Sequence, residues 1–290
     1  MANRHFAKLA DVWKHLPLVE VLRIERPRRY WESHAGSATY EMTDDAERRY
    51  GARTFIEVAP LQPALARSRY LAHLRSMRGP SGRLASYPGS PMLAALELGS
   101  TCSYVFCDLD PESVADLRST ARRLDLASRT EVVGADGMSA LHEALTSSNP
   151  GSTLAHIDPY DPRAVGTGGQ SALDLAHELI DRGVSVVYWY GYDGPGGRAW
   201  AFDELAAGRQ RTTVWCGDVM ITGPGTAPDD GDLGVATTPG TGFGIVCANV
   251  STPSIDACRA LGEGLAAAYD GVPLPDGRPG GLDFTTRAAS

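Results

Sequence analysis

Between residues 101 and 192 the apolar positions follow two rhythms in turn. TCSYVFCD (101–108), TEVVGAD (130–136), STLAHID (152–158) and VSVVYWYGY (184–192) are short runs dense in β-branched and aromatic residues, the mark of strands. Between them, PESVADLRSTARRL (111–124), GMSALHEALTS (137–147) and QSALDLAHELIDRG (170–183) repeat apolar residues every three or four positions, as a helix with one buried stripe does. RAWAFDELAAG (198–208) predicts one more helix, and RTTVWCGDVMI (211–221) and FGIVCANV (243–250) predict the closing strands. Strand and helix in alternation predict an α/β fold with a doubly wound sheet.

The earlier part breaks the rhythm. RYWESHAGSATY (29–40) runs from a short strand into a glycine turn, and residues 43–86 hold a helical stretch, PALARSRYLAHLRSM, with few strand signals. This segment reads as a helical insertion after the first strand. Residues 223–240 form a long Gly/Pro/Asp/Thr loop, a length at which loops are often lids. One domain is expected over 1–271. Residues 272–290, poor in apolar side chains, read as a loose tail.

Composition narrows the class. The chain has 290 residues, 43% of them hydrophobic and 21% charged, as in ordinary globular proteins. It has no run of the roughly 18 apolar residues that spans a membrane and no secretory signal at its start. Five cysteines, an odd number without CxxC spacing, suggest neither a disulfide framework nor a metal site, and fit a cytoplasmic location. The net charge of −8 lowers the odds of a large RNA partner, since nucleic-acid binders neutralise phosphates with Lys and Arg.

In an open α/β sheet, ligands sit beyond the carboxyl ends of the strands. Here those ends carry acids. CDLD places Asp108 where it suits the two hydroxyls of a ribose, and ADG places Asp136, followed by Gly137, where it suits an adenine amine. HIDPYD ends the fourth strand with Asp158 and Asp161. Gly36 in the first turn lets a ligand approach the backbone closely. Four such ends in succession point to an adenosine-containing cofactor. The GxGxxG fingerprint of dinucleotide binding is absent, because HAGSAT has one glycine, so S-adenosylmethionine is favoured as co-substrate.

With these residues in place, the chain resembles the RlmJ-type methyltransferases of large-subunit ribosomal RNA, which methylate an adenine N6. The resemblance is carried by RHFAKLADVWKH (4–15), ESHAGSATY (32–40), YPGSP (87–91), DLDP (108–111), ADG (135–137), IDP (157–159), YWY (188–190) and GIVCAN (244–249). It implies a Rossmann-like class I methyltransferase fold with a seven-stranded sheet. It also implies cofactor contacts from Lys14, His34, Ser90, Asp108 and Asp136, with Asp158 at the acceptor. Within that frame Lys14 would meet the cofactor carboxylate, Glu32 its amino group and Ser90 its methionine part. His5, which opens the N-terminal pattern, falls on the acceptor side.

Two departures set this chain apart. The family's HAGAG is here His34-Ala35-Gly36-Ser37-Ala38, and its Asp-Pro-Pro-Tyr is Asp158-Pro159-Tyr160-Asp161. In the family's motif the acid and a backbone carbonyl accept hydrogens from the target amine while the aromatic stacks on the extruded base. A carboxylate does not stack in that way. Expectation therefore shifts to a small-molecule acceptor of specialised metabolism, such as antibiotic biosynthesis, with Asp158, Tyr160 and Asp161 as catalytic candidates and Tyr190 and Tyr192 as pocket wall. Methyl is the expected group, and 3-amino-3-carboxypropyl transfer from the same cofactor is a variant. Adenine-N6 methylation of rRNA is the second reading and predicts a basic face of Arg4, Lys8, Arg26, Arg28, Arg29, Arg67, Arg69, Arg75 and Arg78. A catalytically inactive binding module is the third. No metal is called for.

Overall fold

Thr153–Ile157, sequence TLAHI, is buried at every position because it lies in the middle of a sheet covered on both faces. The computed structural model describes residues 6–146, 150–161, 163–209, 212–224 and 237–289. Among them the strands are β1 (Arg29–Glu32), β2 (Thr39–Glu41), β3 (Ser86–Pro88), β4 (Ser103–Cys107), β5 (Thr130–Val133), β6 (Thr153–Ile157), β7 (Ser185–Asp193), β8 (Val214–Thr222), β9 (Thr241–Ala248) and β10 (Gly281–Ala289). The longer helices are α1 (Leu9–Glu25), α2 (Arg69–Ser76), α3 (Ser90–Leu98), α4 (Pro111–Arg123), α5 (Gly137–Thr146), α6 (Ala172–Asp181), α7 (Trp200–Ala206) and α8 (Thr252–Ala268).

Eight strands form one sheet in the order β10-β8-β9-β7-β6-β1-β4-β5. From β5 to β7 neighbours are parallel, so Glu32, Asp108, Asp136 and Asp158 all lie at one edge. β9 runs antiparallel between β7 and β8. Alternation along the strands divides the core. Ala155, Ile157, Tyr188 and Tyr190 pack with Leu141 of α5, Leu175 of α6 and Leu205 of α7. Tyr30, Leu154 and Val187 pack with Leu18 of α1, Leu98 of α3 and Cys258 of α8. β2 and β3 make a separate two-stranded ribbon, and between them the chain is helical, in short turns from Ala46 to Ala66 and then α2.

Two expectations need correction. The sheet has eight strands rather than seven, and the extra one comes from the supposed loose tail. β10 pairs antiparallel with β8 from Gly281↔Thr222 to Ala289↔Val214. An edge strand needs only one apolar side: Leu282 and Phe284 pack on the core, and the Phe284 ring meets the Trp13 ring edge-on at 5.4 Å. Arg198–Asp283 and Arg287–Asp203 ion pairs fasten its outer residues. Half-polar alternation of this kind lowers mean hydropathy without loosening the backbone.

Candidate functional site

α1 carries the first part of the site across the strand ends. It begins after Lys8, whose backbone N–H donates to Asp11, and ends at Arg26 in the left-handed conformation, just before Pro27. Lys14 projects from it to β6, with Nζ 2.6 Å from Asp158 Oδ2 and 2.9 Å from Asp11 Oδ1. Burial alone would lower the ammonium pKa. Asp11 and Asp158 outweigh it and hold Lys14 well above its usual range. Burial pushes Asp158 up, but the Lys14 ammonium beside it brings it below the usual carboxylate range. Both groups are therefore charged at neutral pH. The Lys14 ammonium also lies 5.9 Å from the centre of the Trp189 ring.

The second part is a buried network around Glu32. Sheet register sets Glu32 beside His156, and the His156 Nδ1 lies 2.9 Å from Glu32 Oε1. Ser90, at the start of α3, donates its hydroxyl to the same oxygen, and Tyr30 donates to Oε2 at 3.1 Å. Three donors from β1, β6 and α3 thus converge on one carboxylate with no solvent exposure. Next to it, His15 Nδ1 is 2.7 Å from the Tyr87 hydroxyl, itself 2.8 Å from that of Tyr70. Burial, then the charge of Lys14, holds His15 well below the usual imidazole range, so it is neutral.

The third part, around Asp108 and Asp136, is shaped by backbone donors. Gly36 adopts φ +62°, a left-handed conformation that costs glycine little, and its N–H donates 2.7 Å to Asp108 Oδ2. The Asp110 N–H donates to Asp108 Oδ1 at 2.8 Å. Ala38 is buried, and its N–H donates 2.8 Å to Asp116. Asp136 accepts Met138 N–H on Oδ1, and on Oδ2 the Ser139 hydroxyl plus the N–H and hydroxyl of Thr167. Burial opposes ionisation of Asp136, yet these donors keep it below the usual range. His34 Nδ1 sits 2.8 Å from the Ser33 hydroxyl. Burial lowers its pKa, opposed by Asp158, Asp108 and Asp136, whose fields all reach it.

Gly137 locks this side to the first turn. A Cβ there would overlap the Ser33 carbonyl. Gly137→Ala is expected to lower stability by about 3 kcal/mol, at the upper end of overpacking costs, because backbone rather than a flexible side chain must yield. Urea denaturation measures it; a change below about 1 kcal/mol would contradict the contact.

The structure therefore brings together Lys14, Glu32, His34, Gly36, Ser90, Asp108, Asp136, Gly137 and Asp158 at one edge of the sheet. It does not add Tyr190 and Tyr192. Strand alternation turns both to the α6/α7 side, opposite Trp189, and they are 1% and 3% exposed. The Tyr190 hydroxyl donates 2.6 Å to buried Asp218, and that of Tyr192 donates to the Val219 carbonyl. Tyr160 is 75% exposed. Asp161 is also exposed and accepts the Arg163 N–H at 3.0 Å, the work of a turn residue. His5 and most of the 223–240 loop lie outside the described residues. The sequence reading missed Asp11, His15, His156 and Trp189. His156 had one signal, a lone titratable side chain inside an otherwise apolar strand.

The site's charges suit a cation: Asp11, Glu32, Asp108, Asp136 and Asp158 stand against Lys14. The sheet order β5-β4-β1-β6-β7-β9-β8, with acids at its parallel strand ends, is that of a Rossmann-like class I S-adenosylmethionine-dependent transferase. Comparison with known proteins gives the family. Residues 25–190 match the family described as "Ribosomal RNA large subunit methyltransferase D, RlmJ". The chain is 29% identical over 198 residues to "Ribosomal RNA large subunit methyltransferase J" of Escherichia coli (strain K12), covering 64% of this chain and 67% of that one. A crystal structure of protein LPL1258 from Legionella pneumophila, described with the family label DUF519, superposes with a TM-score of 0.73 at 18% identity over 99% of both chains. With more than half of its length matched, the chain belongs to the RlmJ family and is an S-adenosylmethionine-dependent transferase. Among the described residues no helix is long and apolar enough to cross a membrane.

Proposed function

We propose that the chain transfers the methyl group of S-adenosylmethionine to an oxygen or nitrogen of a small molecule, with Asp158 at the acceptor. The observation that carries this reading is the fate of the residue after Asp158-Pro159-Tyr160. Where an aromatic plane would hold an extruded adenine, Asp161 is exposed and folded onto Arg163. The cofactor half of the site keeps its residues, and the base-stacking half has lost its own. In the step itself the acceptor heteroatom bonds to the methyl carbon as the sulfur–carbon bond breaks. The sulfonium becomes a neutral thioether, and the acceptor's proton leaves through Asp158 to solvent. Lys14, Glu32 and Ser90 would hold the amino-acid end of the cofactor, Asp108 its ribose and Asp136 its adenine, so that the carbon and nucleophile meet in line.

The basic side chains bear on the choice of acceptor. Lys8 is buried and paired with Glu47 at 2.8 Å, and Arg69 is paired with Glu97. Arg26 and Arg28 precede β1 and Arg29 opens it, at the edge of the sheet opposite Asp158. These residues do not gather around the transfer site. The second reading, adenine-N6 methylation of rRNA, has two supports: the family itself, and a groove of about 460 Å³ lined by Arg49, Arg53, Arg78 and Arg83 with Asp44 and Glu57. Phosphates fit such a groove.

Calorimetric titration with S-adenosylmethionine and S-adenosylhomocysteine, followed by mass spectrometry of cofactor products after incubation with cell extract, tests the transfer. Binding of both and release of S-adenosylhomocysteine are expected. Release of methylthioadenosine would mean 3-amino-3-carboxypropyl transfer instead. Absence of binding would sink the transferase assignment of this site. Tight, steeply salt-dependent binding of rRNA would favour the second reading.

A further inference from the structure

Glu32 and His156 form a fully buried acid–imidazole pair, and the transfer step has given the imidazole no role. The ring stands on the same side of β6 as Asp158, two residues further along. Glu32 also accepts from Tyr30 and Ser90. His156 meets it with Nδ1, and in the tautomer that carries the shared hydrogen on Nδ1 the lone pair lies at Nε2. That nitrogen is buried and has no hydrogen-bond partner. The groups around it are Glu32 from β1, Asp158 beyond β6, His34 from the first turn and His15 from α1. None of the four donates to it. Asp158 and Lys14 hold each other, and His15 is turned by its Nδ1 to Tyr87.

We propose that His156 Nε2 accepts a hydrogen bond from the α-ammonium group of S-adenosylmethionine, with Glu32 as the group that fixes its tautomer. This deepens the proposed function and rests on its cofactor site. The cofactor's amino-acid end then meets a lone pair held in place by a carboxylate, among side chains with an excess of negative charge. Asp158 stays available to the acceptor, which separates the two carboxylates by role: Glu32 acts on the cofactor through His156, and Asp158 acts on the acceptor.

The test compares S-adenosylhomocysteine with methylthioadenosine, which has the same adenosine and thioether but no amino acid. In His156→Leu the affinity for S-adenosylhomocysteine should fall about 10- to 150-fold, the range for a hydrogen bond to a charged group, and that for methylthioadenosine should not change. His156→Gln, which keeps an acceptor oxygen, should recover part of the loss. Equal losses for the two ligands, or no loss for either, would overturn the proposal. Nitrogen NMR of the unaltered protein with labelled histidine removes any doubt about folding of the variants. The unprotonated Nε2 signal of His156 should move on addition of S-adenosylhomocysteine and stay put with methylthioadenosine. A signal that ignores both, while S-adenosylhomocysteine binds, would assign that nitrogen to a buried water and refute the proposal. Failure of the unaltered protein to bind either ligand is a different result, and refutes the cofactor site itself.

Discussion

Asp158→Ala is expected to lower turnover by about 10²- to 10⁴-fold, the scale of a positioned acid–base group. The dissociation constant for S-adenosylhomocysteine should change far less. The asymmetry follows from position. Asp158 lies at the carboxyl end of β6, and its contact with the cofactor side is through Lys14. Lys14 keeps Asp11 at 2.9 Å when Asp158 is gone, so the ammonium stays neutralised and α1 stays seated. Measured turnover and calorimetric binding should therefore part company. Equal losses in both would move Asp158 from the acceptor to the cofactor.

Lys14→Met carries the largest expected effect on stability. It leaves Asp11 and Asp158, both largely buried, facing each other without a cation. Removing one partner of a buried ion pair typically costs about 3–5 kcal/mol, and two stranded carboxylates put this case in that range. The sign with pH follows from the shifts. The Lys14 pKa is raised by folding, so its contribution is fully present below about pH 10.5, its ordinary value, and fades as pH rises through the higher folded value. The Asp158 pKa is depressed, so its contribution is present above about pH 3.8 and is lost as pH falls through the lower folded value. The pair is intact over the whole neutral range. Urea denaturation should show Lys14→Met losing most of its stability deficit when Asp11→Asn and Asp158→Asn are added. A triple variant as unstable as the single one would mean that the packing of the Lys14 stem matters more than its charge.

The middle of the fold was legible because its signals are local. The β-branched runs ending in Asp108, Asp136 and Asp158 and the striped helices after Asp110 and Ser171 follow from period and capping alone, and both caps are made: Asp110 accepts the Ser113 N–H and Ser171 that of Asp174. The cofactor-side residues came mainly from the resemblance to the family, which supplied Lys14, His34 and Ser90. What was misread depends on tertiary context. α1 is buried on nearly every side, so it has no polar face to reveal a helical period. Tyr190 and Tyr192 seemed to line a pocket because they are near a strand end. One residue of parity decides the face, and it gives the site Trp189 instead. β10 was taken for a tail because an edge strand on one half of a sheet is half polar. His156 went unremarked because its partner, Glu32, is 124 residues away in sequence.

The central claim is that this member of the RlmJ family has kept the cofactor half of its site and changed the acceptor half. The most direct measurement is the destination of the methyl group. The protein would be incubated with methyl-labelled S-adenosylmethionine and cell extract separated into a low-molecular-weight fraction and ribosomal RNA, the RNA isolated from cells lacking this protein. The account predicts label in a small molecule and none in adenine of the RNA. Label in N6-methyladenine of the large-subunit RNA, lost in Asp158→Ala, would contradict it and restore the activity for which the family is named.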